Sequence, residues 1–170
     1  GVNPENGDIY WTVDGGGNST PAVSGNIAIV HGDQKANGLL AYEVSLTGAK
    51  KIWSHEFEGR GSASPIVHEG SVYLIGGERA ACCDLKTGKI HWEEHLKAEI
   101  SSPILTHGKL IALTNNGGFL SILSGDPDAY QLLHKSRFKA ARCPSPALAD
   151  GRLYIRNRES IACFDLRSDP

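Results

Sequence analysis

The sequence predicts an all-β fold, a β-propeller of four-stranded antiparallel blades, with four blades in its 170 residues. Three observations carry this reading. A Thr-Pro or Ser-Pro dipeptide followed by two apolar residues recurs at Pro21, Pro65, Pro103 and Pro146, spaced by 44, 38 and 43 residues. A second marker, Trp11, Trp53, Trp92 and then Leu133, runs at spacings of 42, 39 and 41, always ahead of the next proline. Segments between turn glycines are only about five to eight residues long and rich in β-branched and aromatic side chains, too short for the helices of repeats of similar period.

The second repeat shows the elements in order. Residues 62–67 read as a first strand, Gly70 as a turn, 71–75 as a second strand, and Gly76-Gly77 as another turn. Residues 80–85 then read as a third strand, Thr87-Gly88 as a tight turn, and 89–95 as a fourth strand alternating around Ile90 and Trp92. Proline has no N–H to give to a ladder, so the first strand is the innermost, where it is paired on one side only. The tryptophan of the outermost strand fills the wedge that opens as blades splay. Such a sheet cannot bury both faces alone, so neighbouring copies must stack. The chain reads as one domain over 1–170, with blades at about 18–57, 60–96, 99–138 and 142–167. Residues 1–13 match a fourth, outer strand, which the last repeat lacks, and are expected to close the ring.

Composition narrows the function. Net charge is −2 with 40% hydrophobic and 21% charged residues, and the basic residues form no run longer than Lys50-Lys51, so no nucleic-acid or anionic-membrane surface is indicated. No apolar stretch approaches the roughly 18–20 residues that span a bilayer, and no signal sequence opens the chain. A chain that begins at Gly1 and contains no methionine reads as a processed or excised piece. Four cysteines are too few for a disulfide scaffold.

The motif Asp84-Leu85-Lys86-Thr87-Gly88-Lys89-Ile90-His91-Trp92 resembles the tryptophan motif of the pyrroloquinoline-quinone (PQQ) propeller repeat, and Ser145-Pro146-Ala147-Leu148-Ala149-Asp150-Gly151-Arg152-Leu153-Tyr154 resembles its inner-strand part. The third repeat departs from it: Ser121-Ile122-Leu123-Ser124-Gly125-Asp126 carries no Asp-x-x-Thr-Gly, and Leu133 replaces the tryptophan. The resemblance covers essentially the whole chain and implies an extracytoplasmic, periplasmic bacterial protein. Family members usually have eight blades, which implies half a ring here, completed by a homodimer, a closed four-bladed monomer or an open fragment. Functions in the family run from PQQ-dependent alcohol dehydrogenases to an outer-membrane assembly lipoprotein and sensor domains. The reading favoured here is a non-catalytic binding or scaffolding module for a protein partner or small polar ligand. The alternative is part of a quinoprotein dehydrogenase oxidising an alcohol or sugar with PQQ and calcium.

Candidate residues follow from the same geometry. Outer-to-inner connections and second-to-third-strand turns converge at one end of the axis, which brings Arg60, Glu78, Arg79, Arg142 and Arg158 to a rim as ligand candidates, with Asp33, Lys97, Glu99, Asn115, Asn116 and Lys139 nearby. No catalytic residue and no metal ligand is assigned. Cys82-Cys83 invites comparison with the vicinal disulfide that methanol-dehydrogenase-like quinoproteins stack on the cofactor. Both residues fall within the third strand, however, where successive side chains point to opposite faces and neighbouring Cα atoms lie about 3.8 Å apart, so packed free thiols are expected. His91 and His95 lie about 13 Å apart on one strand face, too far to share a metal. Asp84 and Asp165 are expected to cap turns by accepting backbone N–H groups.

Overall fold

The computed structural model describes residues 1–32, 38–57, 63–76, 78–96, 101–141 and 144–167. These form fifteen strands in four antiparallel meanders. The first sheet comprises β1 (Ala22–Ser24), β2 (Ile27–His31), β3 (Leu39–Ser45) and β4 (Gly48–His55). The second comprises β5 (Ile66–His68), β6 (Ser71–Gly76), β7 (Arg79–Asp84) and β8 (Ile90–His95). The third comprises β9 (Ile104–Thr106), β10 (Lys109–Thr114), β11 (Phe119–Ser124) and β12 (Leu132–Arg137), and the fourth β13 (Ala147–Ala149), β14 (Arg152–Arg156) and β15 (Ile161–Asp165).

The inner hairpins of the second, third and fourth sheets turn where the sequence places an X-Gly pair, whereas the first turns on Gly25-Asn26 with Gly25 at φ 58°. Glu69-Gly70, His107-Gly108 and Asp150-Gly151 all hold both residues at positive φ, between 46° and 78°. That is the two-residue geometry whose twist matches the flanking strands, and glycine accepts it without a Cβ penalty. The inner strands start later than the sequence suggests, at Ile66 rather than residue 62 in the second sheet. The residue before each proline is spent elsewhere. Thr20 N–H donates to Ser64 Oγ at 2.8 Å, Ser64 N–H to Ser102 Oγ at 3.0 Å, and Ser102 N–H to Ser145 Oγ at 3.1 Å. This ladder of hydroxyls runs from blade to blade along the inner end and supplies the partners that a proline-broken strand cannot.

Both faces of the inner sheets are apolar, and each is covered by the next sheet. One cluster joins Ile29, Leu39 and Ala41 of the first blade to Val72, Leu74 and Cys83 of the second. A second joins Tyr73, Ile75 and Cys82 to Leu110, Ala112 and Leu123. A third joins Ile111 and Leu113 to Leu153 and Ile155. At the outer end the indoles bridge blades: Trp53 Nε1 donates to the Leu85 carbonyl at 2.9 Å, and Trp92 Nε1 to the Asp126 carbonyl at 3.4 Å. The Trp53 ring lies so close on Gly88 (φ +72°) that a Cβ there would stand 2.7 Å from it. Asp84 Oδ1 shapes the turn beneath by accepting from the Lys86 and Thr87 amides and the Thr87 hydroxyl. Those bonds, the Thr87 hydroxyl first, hold the Asp84 carboxyl below its ordinary value.

Two expectations are corrected. Pairing is Ala41 with Trp53, Cys82 with Trp92 and Ile122 with His134, each just before a bulge, so His134 and not Leu133 stands at the tryptophan level of the third blade. Among the described residues, 1–13 do not pair with the fourth sheet, which shows three strands. Val2 bridges Ile9 instead, and Trp11 Nε1 donates to the Ser45 carbonyl at 3.0 Å, drawing the segment onto the first blade.

His31 is a buried polar link between blades one and two, 3% exposed, with Nδ1 2.8 Å from the Ala63 carbonyl. Burial pushes its pKa below 6.5, opposed by that hydrogen bond. The folded state therefore binds fewer protons than the unfolded chain once pH falls below 6.5, so its stabilising effect is complete above that pH and declines beneath it. Melting temperature measured from about pH 7.5 down to about pH 5 should fall, and fall less in His31→Gln. Trp53→Ala should cost about 3–5 kcal/mol in denaturant unfolding, and Gly88→Ala should also destabilise.

Candidate functional site

The rim that the sequence points to takes form between blades three and four. The β10–β11 turn holds Asn115 and Asn116 at φ 53° and 55°, a left-handed conformation that asparagine tolerates better than most residues. Residues 138–141 run from β12 towards the fourth blade and are stitched to both sides. Phe138 N–H donates to the Gly118 carbonyl at 2.9 Å, Ala140 N–H to Gly117 at 3.0 Å, and Ala141 N–H to Arg156 at 3.1 Å, while Ala140 also bridges Asn157. Asn157 Oδ1 caps the β14–β15 turn by accepting from the amides of Glu159 and Ser160 and from the Ser160 hydroxyl.

These loops enclose a cleft of about 730 Å³ lined by Asn116, Lys139, Asn157, Arg158, Glu159 and Ser160 among others. Lys139, Arg158 and Glu159 are exposed, so two cations and one anion face it with side-chain amides and hydroxyls between them. Phe138 and Ala140 also line it, so the cleft sets apolar surface beside these charged and polar groups.

The other candidates are distributed differently. Arg79 is not free for a ligand: it pairs with Glu93 across β7 and β8, and its guanidinium lies 4.7 Å from the centroid of the Phe57 ring. Arg79 Nε is buried with no hydrogen-bond partner among the described residues. Glu78 is exposed, and its carbonyl accepts from the Leu96 amide at 2.9 Å. Arg60 and Arg142 lie outside the described residues, as do Asp33, Lys97 and Glu99. The structure thus brings Arg158 together with Lys139 and Asn116 and turns Arg79 inward.

Cys82 and Cys83 are both buried free thiols. They belong to different clusters, Cys83 facing blade one and Cys82 facing blade three. Burial pushes their pKa values up to about 11 and about 12. Asp165 accepts from the Arg167 amide and guanidinium, the turn-capping role expected of it.

A family profile described as outer membrane protein assembly factor BamB matches residues 1–169. The chain belongs to the BamB-like PQQ-repeat propeller family. Among solved structures, BamB from Moraxella catarrhalis superposes with a TM-score of 0.65 at 15% identity, over 85% of this chain and 41% of that one. The quinohemoprotein alcohol dehydrogenase ADHIIG from Pseudomonas putida HK5 gives 0.61 at 14% identity, over 85% and 29%. The computationally designed Ika4 protein gives 0.64 at 11% identity, over 95% of this chain and 99% of that one. At these identities the likeness is one of fold, and this BamB-like chain spans about two fifths of the M. catarrhalis protein. No curated protein sequence matches it significantly.

Because PQQ with calcium occurs in dehydrogenases of this fold family, its fit to these residues matters. Calcium takes six to eight oxygen ligands, several of them carboxylate. Among the described residues no three His, Cys, Asp or Glu converge as a metal site. The adjacent cysteines face opposite sides of their sheet and offer no disulfide floor for a quinone ring. A thiol reagent at about pH 8 should leave Cys82 and Cys83 unmodified in the native protein and label both once it is unfolded.

Proposed function

We propose that this chain is a non-catalytic binding propeller of an extracytoplasmic bacterial protein, which presents the cleft between blades three and four to a protein partner through an acidic or polar segment. The observation that carries this reading is the cleft itself, with Lys139 and Arg158 exposed at its rim over a hydrogen-bonded floor of turn residues. Long-range attraction by two cations steers an acidic segment, and the neighbouring Asn157, Ser160 and backbone groups provide directional contacts. Membership of the BamB-like family supports the extracytoplasmic setting and a protein as the partner.

A fluorescent Glu-rich peptide tests the cleft. Its anisotropy should rise on titration with the protein, the affinity should drop in Lys139→Glu/Arg158→Glu, and it should weaken with added salt. Both side chains are exposed, so the double variant should keep the native melting temperature. Equal binding by wild type and variant would contradict the assignment. PQQ with calcium, added in parallel, should give no bound chromophore and no rise in melting temperature. A saturable rise would favour the dehydrogenase reading instead.

A further inference from the structure

Three asparagines in the sequence precede a glycine: Asn6, Asn37 and Asn116. The backbone nitrogen after an asparagine can attack its side-chain carbon, and glycine, with no Cβ, leaves that approach open. In a folded chain two restraints oppose the attack. A hydrogen bond from the glycine N–H holds the nucleophile, and hydrogen bonds to the asparagine amide hold the carbon it must reach. Asn37 lies outside the described residues, which leaves two pairs to compare.

They differ in both restraints. Gly7 N–H donates to the Asn3 carbonyl at 2.8 Å. Asn6 Nδ2 donates to Asp8 Oδ2 at 2.8 Å, and Asn6 Oδ1 accepts from the Asp8 amide at 3.0 Å. Every polar group that the reaction must move is engaged there. In the β10–β11 turn the closing bond runs from the Gly118 amide to the Asn115 carbonyl at 3.1 Å and passes over the pair between them. Gly117 N–H has no acceptor among the described residues, and the exposed Asn116 side chain has no hydrogen-bond partner among them. Nucleophile and carboxamide are both untied, in a turn that is itself anchored by Ala140 N–H on the Gly117 carbonyl.

We propose that Asn116 is a self-modification site, at which the folded chain deamidates, and that the carboxylate it gains switches the charge of the cleft between blades three and four. The Gly117 nitrogen forms a bond to Asn116 Cγ and the Cγ–Nδ2 bond breaks. Nδ2 leaves as ammonia with the proton given up by the Gly117 amide, and a succinimide ring remains. One water then opens the ring at either carbonyl, which yields aspartate or its isomer linked through the β-carboxyl. Nothing is oxidised or reduced, and water is the sole co-reactant. Asn116 lines the cleft beside Lys139, Arg158 and Glu159, so two cations facing one anion become two facing two. The field that draws an acidic segment is thereby cancelled. This consequence rests on the function proposed above; the reaction itself does not.

Peptide mass mapping tests the site. In native protein held in mildly alkaline buffer, the mass gain of hydroxyl over amide should appear at Asn116 several-fold faster than at Asn6, and in concentrated urea the two should react at similar rates. Equal native rates, or faster loss of Asn6, would overturn the proposal. Peptide binding tests the switch. Asn116→Asp, a residue that the left-handed turn accepts, should keep the native melting temperature and bind the Glu-rich peptide several-fold more weakly than wild type at low salt. Modification at Asn116 together with an undiminished affinity in Asn116→Asp would support the site and overturn the switch. A wild type that does not bind the peptide would overturn the cleft's proposed function and the switch with it, while the mapping result decides the site independently.

Discussion

Everything in this structure depends on the fact that a four-stranded sheet with two apolar faces cannot stand alone in water. β6 and β7 show the constraint most plainly. Every residue of β6 is buried, and the side chains of β7 alternate between two different cores. Neither strand could satisfy both faces in an isolated hairpin meander, so the blade exists only between two neighbours. The devices that fix the neighbours sit at opposite ends of each sheet. At the inner end a seryl or threonyl residue before the proline hands an N–H to the next blade, and at the outer end an indole reaches a carbonyl beyond it. Apolar burial supplies most of the free energy, and the two polar links set the register at which that burial occurs.

Much of this was legible in the sequence because the signals are periodic. The prolines, the X-Gly turns and the tryptophans recur at one spacing, and repetition multiplies weak local preferences into a strong one. Cys82 and Cys83 were readable for the same reason: their place in a strand dictates opposite faces. What escaped the sequence reading lay in relations between repeats. The hydroxyl before each proline is an unremarkable Ser or Thr until the next blade is beside it. A bulge in β12 skips Leu133 and brings His134 to the tryptophan level, and one-residue shifts of that kind leave no mark in composition.

The rim was legible only in outline. Its location follows from topology, since turns between second and third strands must meet the outer-to-inner connections at one end. Which charges stay available does not follow. Arg79 and Arg158 look alike in the sequence, but the strand pair brings Glu93 opposite Ala81, next to Arg79, and the preceding blade brings Phe57, which turns that guanidinium into an inter-blade contact. Arg158 sits at the tip of a turn capped by Asn157 and keeps its charge in solvent.

The account rests most directly on the indole of one blade lying on the glycine turn of the next. Nuclear Overhauser contacts from the Trp53 indole, in the folded protein, should reach Gly88 and Leu85, with the Gly88 α-protons shifted upfield by the ring. A folded protein whose Trp53 indole shows contacts only within its own sheet would contradict the radial stacking from which the rest is built.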